Sequence, residues 1–123
     1  VPSQNYRDLF AWQKAMGLVE SVYRVTHDWP KEEMYRLTNE IRRAVVSVPA
    51  NMAERQGRNS AREFARYLSI AIGSLYEVET YVSIAQRLWY LDERICDGLL
   101  VQTAEVARLT HGLSRKLRES REP

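Results

Sequence analysis

Between Ser60 and Trp89 the chain contains no proline, and Phe64, Leu68, Ala71, Leu75, Val78, Val82 and Ala85 recur at alternating steps of four and three. A strand would alternate every second residue. This spacing instead lines one face of a long helix, and that face needs other helices to cover it. Ser60-Ala61-Arg62-Glu63 reads as a capping box that opens the helix. Gly73-Ser74, in its middle, lowers helix propensity and predicts a close approach by a neighbouring helix.

Three further segments carry helical periodicity. The first spans about Asp8 to Thr26, with Trp12, Met16 or Ala15, Val19, Tyr23 and Thr26 as its expected stripe, and it ends at His27-Asp28-Trp29-Pro30. Proline there biases Trp29 out of the helical region and can open the next helix. The second spans about Lys31 to Arg55, with Met34, Leu37, Ile41, Ala44, Val48 and Met52 as its stripe and a possible break at Leu37-Thr38, where Thr38 could act as N-cap. Pro49 lies inside it, which predicts a kink costing ~3 kcal/mol unless neighbours compensate. Gln56-Gly57-Arg58-Asn59 reads as a turn, with Gly57 expected as the C-cap. The fourth runs from about Asp92 to Leu117, with Ile95, Leu99, Val106, Leu109, Leu113 and Leu117 on one stripe.

Short connections between helices of similar length favour antiparallel neighbours. The expected fold is therefore an all-α, antiparallel up-down-up-down four-helix bundle with a kinked second helix. It would form one domain over residues 1–123, with frayed ends at about 1–7 and 118–123.

Composition excludes several classes. Hydrophobic residues at 45% and charged residues at 28% describe a globular chain, not a disordered one. No apolar run reaches the ~18 residues that span a bilayer, and Val1-Pro2-Ser3-Gln4-Asn5 has no secretory pattern, so the expected location is cytoplasmic with no membrane partner. Cys96 is the single cysteine, which removes an intrachain disulfide or a cysteine-rich metal site and predicts a small buried or half-buried side chain. A di-iron bundle needs Glu-x-x-His pairs, but Arg24 and Arg108 stand three residues before His27 and His111. Phosphate-loop and nucleophile-elbow patterns are missing. The expectation is no catalytic residue, no metal, no cofactor and no small-molecule substrate.

The net charge of +2 is unevenly distributed. From Arg36 to Arg66 seven arginines face Glu40, Glu54 and Glu63, a balance of +4; from Tyr67 to Ala107 the balance is −4, and from Arg108 onward it returns to +3. A local field of that kind suits an anionic partner, and fifteen of the eighteen basic residues are arginines, which form bidentate forks with phosphate. Arg42, Arg55, Arg58, Arg62 and Arg66 are the expected nucleic-acid contacts, with Arg43 directed to an internal ion pair. Solvated helix faces of mixed charge are the plainer alternative. Apolar residues beyond one stripe per helix, among them Leu9, Phe10, Leu18, Val22 and Val25, then Tyr67, Ile70, Tyr81 and Ile84, then Leu100 and Val101, predict self-association.

Arg43, Ser47, Asn51 and Glu54 fall at steps of four, four and three, and so share one face around Pro49. Ser47 and Asn51 could satisfy backbone groups released by the proline, and Glu54 could pair with Arg43, Arg58 or a third-helix group such as Ser74. Together with Ser74 and Glu77 these residues form an expected polar strip that fixes helix register or a subunit contact.

The chain resembles the four-helix-bundle proteins encoded by intervening sequences inside bacterial 23S ribosomal RNA genes, together with their free-standing relatives. The matching pieces are Asp8-Leu9-x-x-Trp12-Gln13-Lys14-Ala15, Trp29-Pro30-x-Glu32-Glu33-x-Tyr35-x-Leu37-Thr38, Ile41-Arg42-Arg43-Ala44-x-x-Ser47-Val48-Pro49-x-Asn51-Met52-Ala53-Glu54, Gly57-Arg58-x-Ser60 and Glu63-Phe64-x-x-Tyr67-Leu68-x-Ile70-Ala71-x-Gly73-Ser74-Leu75-x-Glu77. The resemblance implies a short up-down bundle and a ring-shaped homopentamer. Related bundle proteins serve as accessory factors of diversity-generating reverse transcriptases, where a basic ring is thought to engage RNA or the polymerase. This chain is less basic than that branch, and Arg55 stands where the family usually has glycine. The leading expectation is a non-catalytic homo-oligomer that binds RNA or DNA through arginines. A protein-interaction scaffold with no nucleic-acid role is the alternative, and a small-molecule enzyme comes third.

Overall fold

A computed structural model of the chain describes residues 5–57 and 60–121. Four helices account for most of them: α1 (Phe10–Thr26), α2 (Leu37–Ala53), α3 (Ala61–Arg87) and α4 (Glu93–Arg121). Each packs on its chain neighbours, α1 closes against α4, and α3 makes the most extensive contacts, with α2 on one side and α4 on the other. The fold is an all-α, up-down four-helix bundle.

α3 follows the sequence pattern closely. All seven seam residues from Phe64 to Ala85 are buried, and the Ser60 hydroxyl accepts from the Glu63 amide at 3.1 Å to cap the first turn. Gly73 does not mark a close approach: it is exposed, and a Cβ there would meet nothing within 4 Å. The intimate contact belongs to Ser74 next door, which is buried against α2.

α1 buries Ala15 and Thr26 of its expected stripe but is turned so that the rest of its buried face differs. Ala11, Ala15, Leu18, Val22 and Thr26 are buried, whereas Trp12 and Val19 are half-buried and Met16 and Tyr23 are exposed. The apolar arc of this helix is wide. Small alanines at its centre let α1 approach its neighbours, which leaves the bulky residues on the flank. In α4 the buried line is Cys96, Leu99, Thr103, Val106 and Thr110, while Ile95 is exposed. Both threonines satisfy their hydroxyls within the helix, donating to the Leu99 and Val106 carbonyls at 2.6 and 2.7 Å, so a polar residue can occupy the core. α4 also continues to Arg121, past the expected end at Leu117.

Helix ends differ from expectation in two places. The α1–α2 connection contains a short 3-10 turn, Lys31–Glu33, and α2 starts at Leu37 with Arg36 as N-cap. Thr38 lies inside the helix and is buried; the Leu37 amide donates instead to Glu33 Oε1 at 3.3 Å. Met34, expected on the α2 stripe, is exposed in this connection. At its far end α2 tightens into the 3-10 turn Glu54–Gly57, whose i+3 bonds take up terminal carbonyls without a left-handed glycine.

Among the described residues, the left-handed backbone occurs at Trp89, φ 66°. It terminates α3 in a Schellman motif: the Tyr90 amide donates to the Ala85 carbonyl at 2.9 Å and the Trp89 amide to that of Gln86 at 3.0 Å. Glycine is the residue suited to that position. Replacing Trp89 by glycine is expected to raise stability by about 1 kcal/mol, read as a higher urea midpoint, because the side chain is 91% exposed and takes almost no packing with it.

Candidate nucleic-acid interface and the polar cleft

Of the expected polar strip, Ser47, Asn51 and Ser74 join in hydrogen bonds beside Pro49, which is buried in an α2 that remains helical on both sides of it. Asn51 Nδ2 donates to the Ser47 carbonyl at 2.7 Å and to Ser47 Oγ at 2.9 Å. Ser74 Oγ donates to Ser47 Oγ across the α2–α3 interface at 2.9 Å. The backbone group that Asn51 engages is therefore the Ser47 carbonyl, not the Val45 carbonyl left without an N–H by the proline.

Above these hydroxyls lies a cleft of about 210 Å³ lined by Glu40, Arg43, Ala44, Ser47, Ser74, Glu77 and Tyr81. Arg43 is exposed and pairs with Glu40 at 3.8 Å on the surface of its own helix, rather than entering an internal ion pair. Tyr81 Oη donates to Glu40 Oε2 at 3.4 Å. Burial, then the Glu77 and Glu40 carboxylates, push the Tyr81 phenol above its ordinary range, so it stays a proton donor. Glu40 and Tyr81 are cleft residues that the α2 periodicity alone did not single out. Glu54 sits beyond this cleft, in the turn that follows α2.

The arginines divide by role. Arg42 is half-buried: its Nε donates to Thr26 Oγ1 at 2.9 Å and its guanidinium lies 4.5 Å from the Tyr23 ring centre. It ties α2 to α1. Arg55 is half-buried with its guanidinium 6.0 Å from the Phe64 ring centre. Arg62 and Arg66 are exposed, one turn apart on the first two turns of α3, and Arg66 lies 5.0 Å from the Tyr67 ring centre. Arg58 lies outside the described residues.

Chain order brings further cations to this end. In an up-down bundle the α2–α3 turn, the start of α1 and the end of α4 meet at the same end. Arg115, Lys116 and Arg118, all exposed, therefore join Arg55, Arg62 and Arg66. Between α1 and α4 an open cleft of about 540 Å³ is lined by Phe10, Ala11, Arg108, Leu109, Gly112, Leu113, Arg115, Lys116 and Glu119. Sequence reading placed the basic tail and the arginines in separate segments; the topology is the signal that joins them. The result is a surface of guanidinium and ammonium groups beside the N-terminus of α3, chemistry that matches phosphate.

Other reactive side chains are placed differently. Cys96 is buried, its thiol donates to Gln86 Oε1 at 3.2 Å, and burial followed by Asp97 and Glu93 pushes its pKa up, so the thiol holds its proton. His27 and His111 are exposed. Among the described residues no group of three or more His, Cys, Asp or Glu is placed to hold a metal ion. No helix among them is long and apolar enough to cross a membrane.

The family model of the 23S rRNA-intervening sequence proteins matches residues 7–112. A crystal structure of a protein of unknown function from the S23 ribosomal protein family of Bacteroides thetaiotaomicron is similar, with a TM-score of 0.79 at 18% sequence identity over 85% of this chain and 95% of that one. At that identity the likeness shows the fold. No curated protein matches the sequence.

Removing the shared acceptor of the polar strip provides a test of its role. Ser47→Ala leaves the Asn51 amide and the Ser74 hydroxyl without that partner, and is expected to cost about 1–2 kcal/mol in urea unfolding. Ser69→Ala, at an exposed position on α3, should stay within about 0.5 kcal/mol of the parent.

Proposed function

Because the chain belongs to the 23S rRNA-intervening sequence protein family, we propose that it acts as a non-catalytic, homo-oligomeric bundle protein whose arginine-rich end holds the phosphates of RNA. The observation that carries this reading is the convergence of Arg55, Arg62 and Arg66 with the cations of α4 at one end of the bundle. Repetition of that end around an oligomer adds weak phosphate contacts into useful affinity. Binding would follow charge and shape, with duplex DNA a weaker ligand of the same chemistry.

Self-association has its own support. Met16 and Val46 are exposed at helical spacing from Tyr23 and Arg42, whose contact lies on the α1–α2 face, and with the exposed Tyr23 ring they offer apolar surface suited to a neighbouring copy. The ring of five implied by the sequence resemblance would use such a lateral face and leave the bundle ends open. The scaffold reading draws on a different observation, the apolar residues Met34, Tyr35, Leu88 and Trp89 exposed at the other end.

Binding of the purified protein to a structured RNA across a salt series tests the reading, with solution mass measured in the same sample. The parent should lose affinity steeply with salt. Arg62→Ala/Arg66→Ala should flatten the slope of log K against log salt by about 1.5, near 0.7–0.9 for each phosphate contact removed. A folded, assembled protein that fails to bind at low salt, or a variant with an unchanged slope, contradicts the RNA role and favours the scaffold.

A further inference from the structure

The end of the bundle opposite the arginines carries costs that intramolecular packing does not explain. Trp89 holds its left-handed backbone with its indole 91% exposed, and Tyr35 is 90% exposed. The two connections that carry them form one surface, because Tyr90 Oη donates to Glu33 Oε2 at 2.7 Å and Trp29 packs against the Tyr90 ring. Beneath this surface, Trp29 Nε1 is the buried side-chain polar atom without a hydrogen-bond partner among the described residues. A bulky side chain held in a strained conformation and offered to solvent points to a contact made outside the chain.

The same molecule carries a complementary surface. At the arginine end α4 outruns α1, and the open cleft of about 540 Å³ is lined by the apolar Phe10, Leu109 and Leu113 together with three cations, Arg108, Arg115 and Lys116, and one carboxylate, Glu119. An indole suits such a lining, apolar side chains for its ring and cations for its face. Charge matches as well. Around the aromatic end, acidic residues (Asp28, Glu32, Glu33, Asp92, Glu93 and Asp97) outnumber basic ones (Arg24, Lys31, Arg36, Arg87 and Arg94) by one.

We propose that the aromatic end of one bundle docks head to tail into the basic cleft of a second copy, with Trp89 as the inserted side chain. The two surfaces differ and lie at opposite ends, so the contact is heterologous and extends copy by copy instead of closing by two-fold symmetry. It uses none of the α1–α2 face assigned above to lateral assembly, and so applies whether the stacking unit is one chain or a ring. It does share Arg115 and Lys116 with the surface proposed above for RNA, so docking and RNA binding exclude one another at that cleft.

Sedimentation velocity of the full chain over a concentration series, at low and high salt, tests the proposal. At low salt the average mass should grow with concentration without a fixed end point, and high salt should suppress the growth. Trp89→Gly and Arg115→Glu/Lys116→Glu should each weaken the association constant at least tenfold. Trp89→Gly should melt no lower than the parent, so its lost growth cannot be assigned to misfolding. Mixed in equal amounts, the two variants retain one intact cleft and one intact aromatic end, and the mixture should reach twice the mass of either alone and stop. A parent mass independent of concentration, undiminished growth in Trp89→Gly, or a mixture that does not double overturns the proposal. None of these outcomes depends on RNA binding.

Discussion

The bundle depends on the apolar seam of α3. Leu68, Leu75, Val78 and Val82 are fully or almost fully buried, and each contributes roughly 1.5–3 kcal/mol by leaving water. Because α2 packs on one side of this helix and α4 on the other, the seam holds two interfaces at once. It also fixes where the chain turns. The basic α2–α3 turn lies at one end of α3 and the Trp89 connection at the other, so the length of a single helix sets the separation between the two chemically distinct ends of the molecule.

Within this apolar frame the α2–α3 contact includes a polar pin. Ser74 reaches Ser47, and Asn51 closes on the same hydroxyl within α2, next to a proline that interrupts the helical hydrogen-bond ladder. Leucine seams tolerate sliding because burial is non-directional; a bond between two hydroxyls at 2.9 Å does not. That bond therefore ties α3 to α2 beside the proline that interrupts the α2 ladder. The cleft above it is lined by two carboxylates, a guanidinium and a phenol, and these groups engage one another at longer range.

How much of this could be read from the residues depended on whether period and side-chain size agreed. They agree along α3, so its seam and its Ser60 cap were legible. In α1 the period was clear but bulk misled: Trp12 and Tyr23 outweigh Ala11 and Ala15, yet the alanines occupy the interface. In α4, Thr103 and Thr110 read as polar, although each can bond its own helix and enter the core. Gly57 had the composition of a left-handed cap and Trp89 took the conformation, a choice made by the tertiary position of the α3–α4 connection. At the candidate site, Arg62 and Arg66 were visible as a basic run. The division between Arg42, which braces α1, and Arg43, which faces solvent, needed the direction of each neighbour. The contribution of α4 to the same surface needed the topology.

The function proposed above rests on the sorting of charge along the bundle axis. Cations from α3 and α4 collect at one end and exposed aromatics with an acidic surround at the other. Photochemical crosslinking of a bound structured RNA, mapped to individual peptides, tests that polarity most directly. The account predicts crosslinks confined to the α2–α3 turn, the first two turns of α3 and the last third of α4. Crosslinks concentrated on the α1–α2 face or around Trp89 would contradict it.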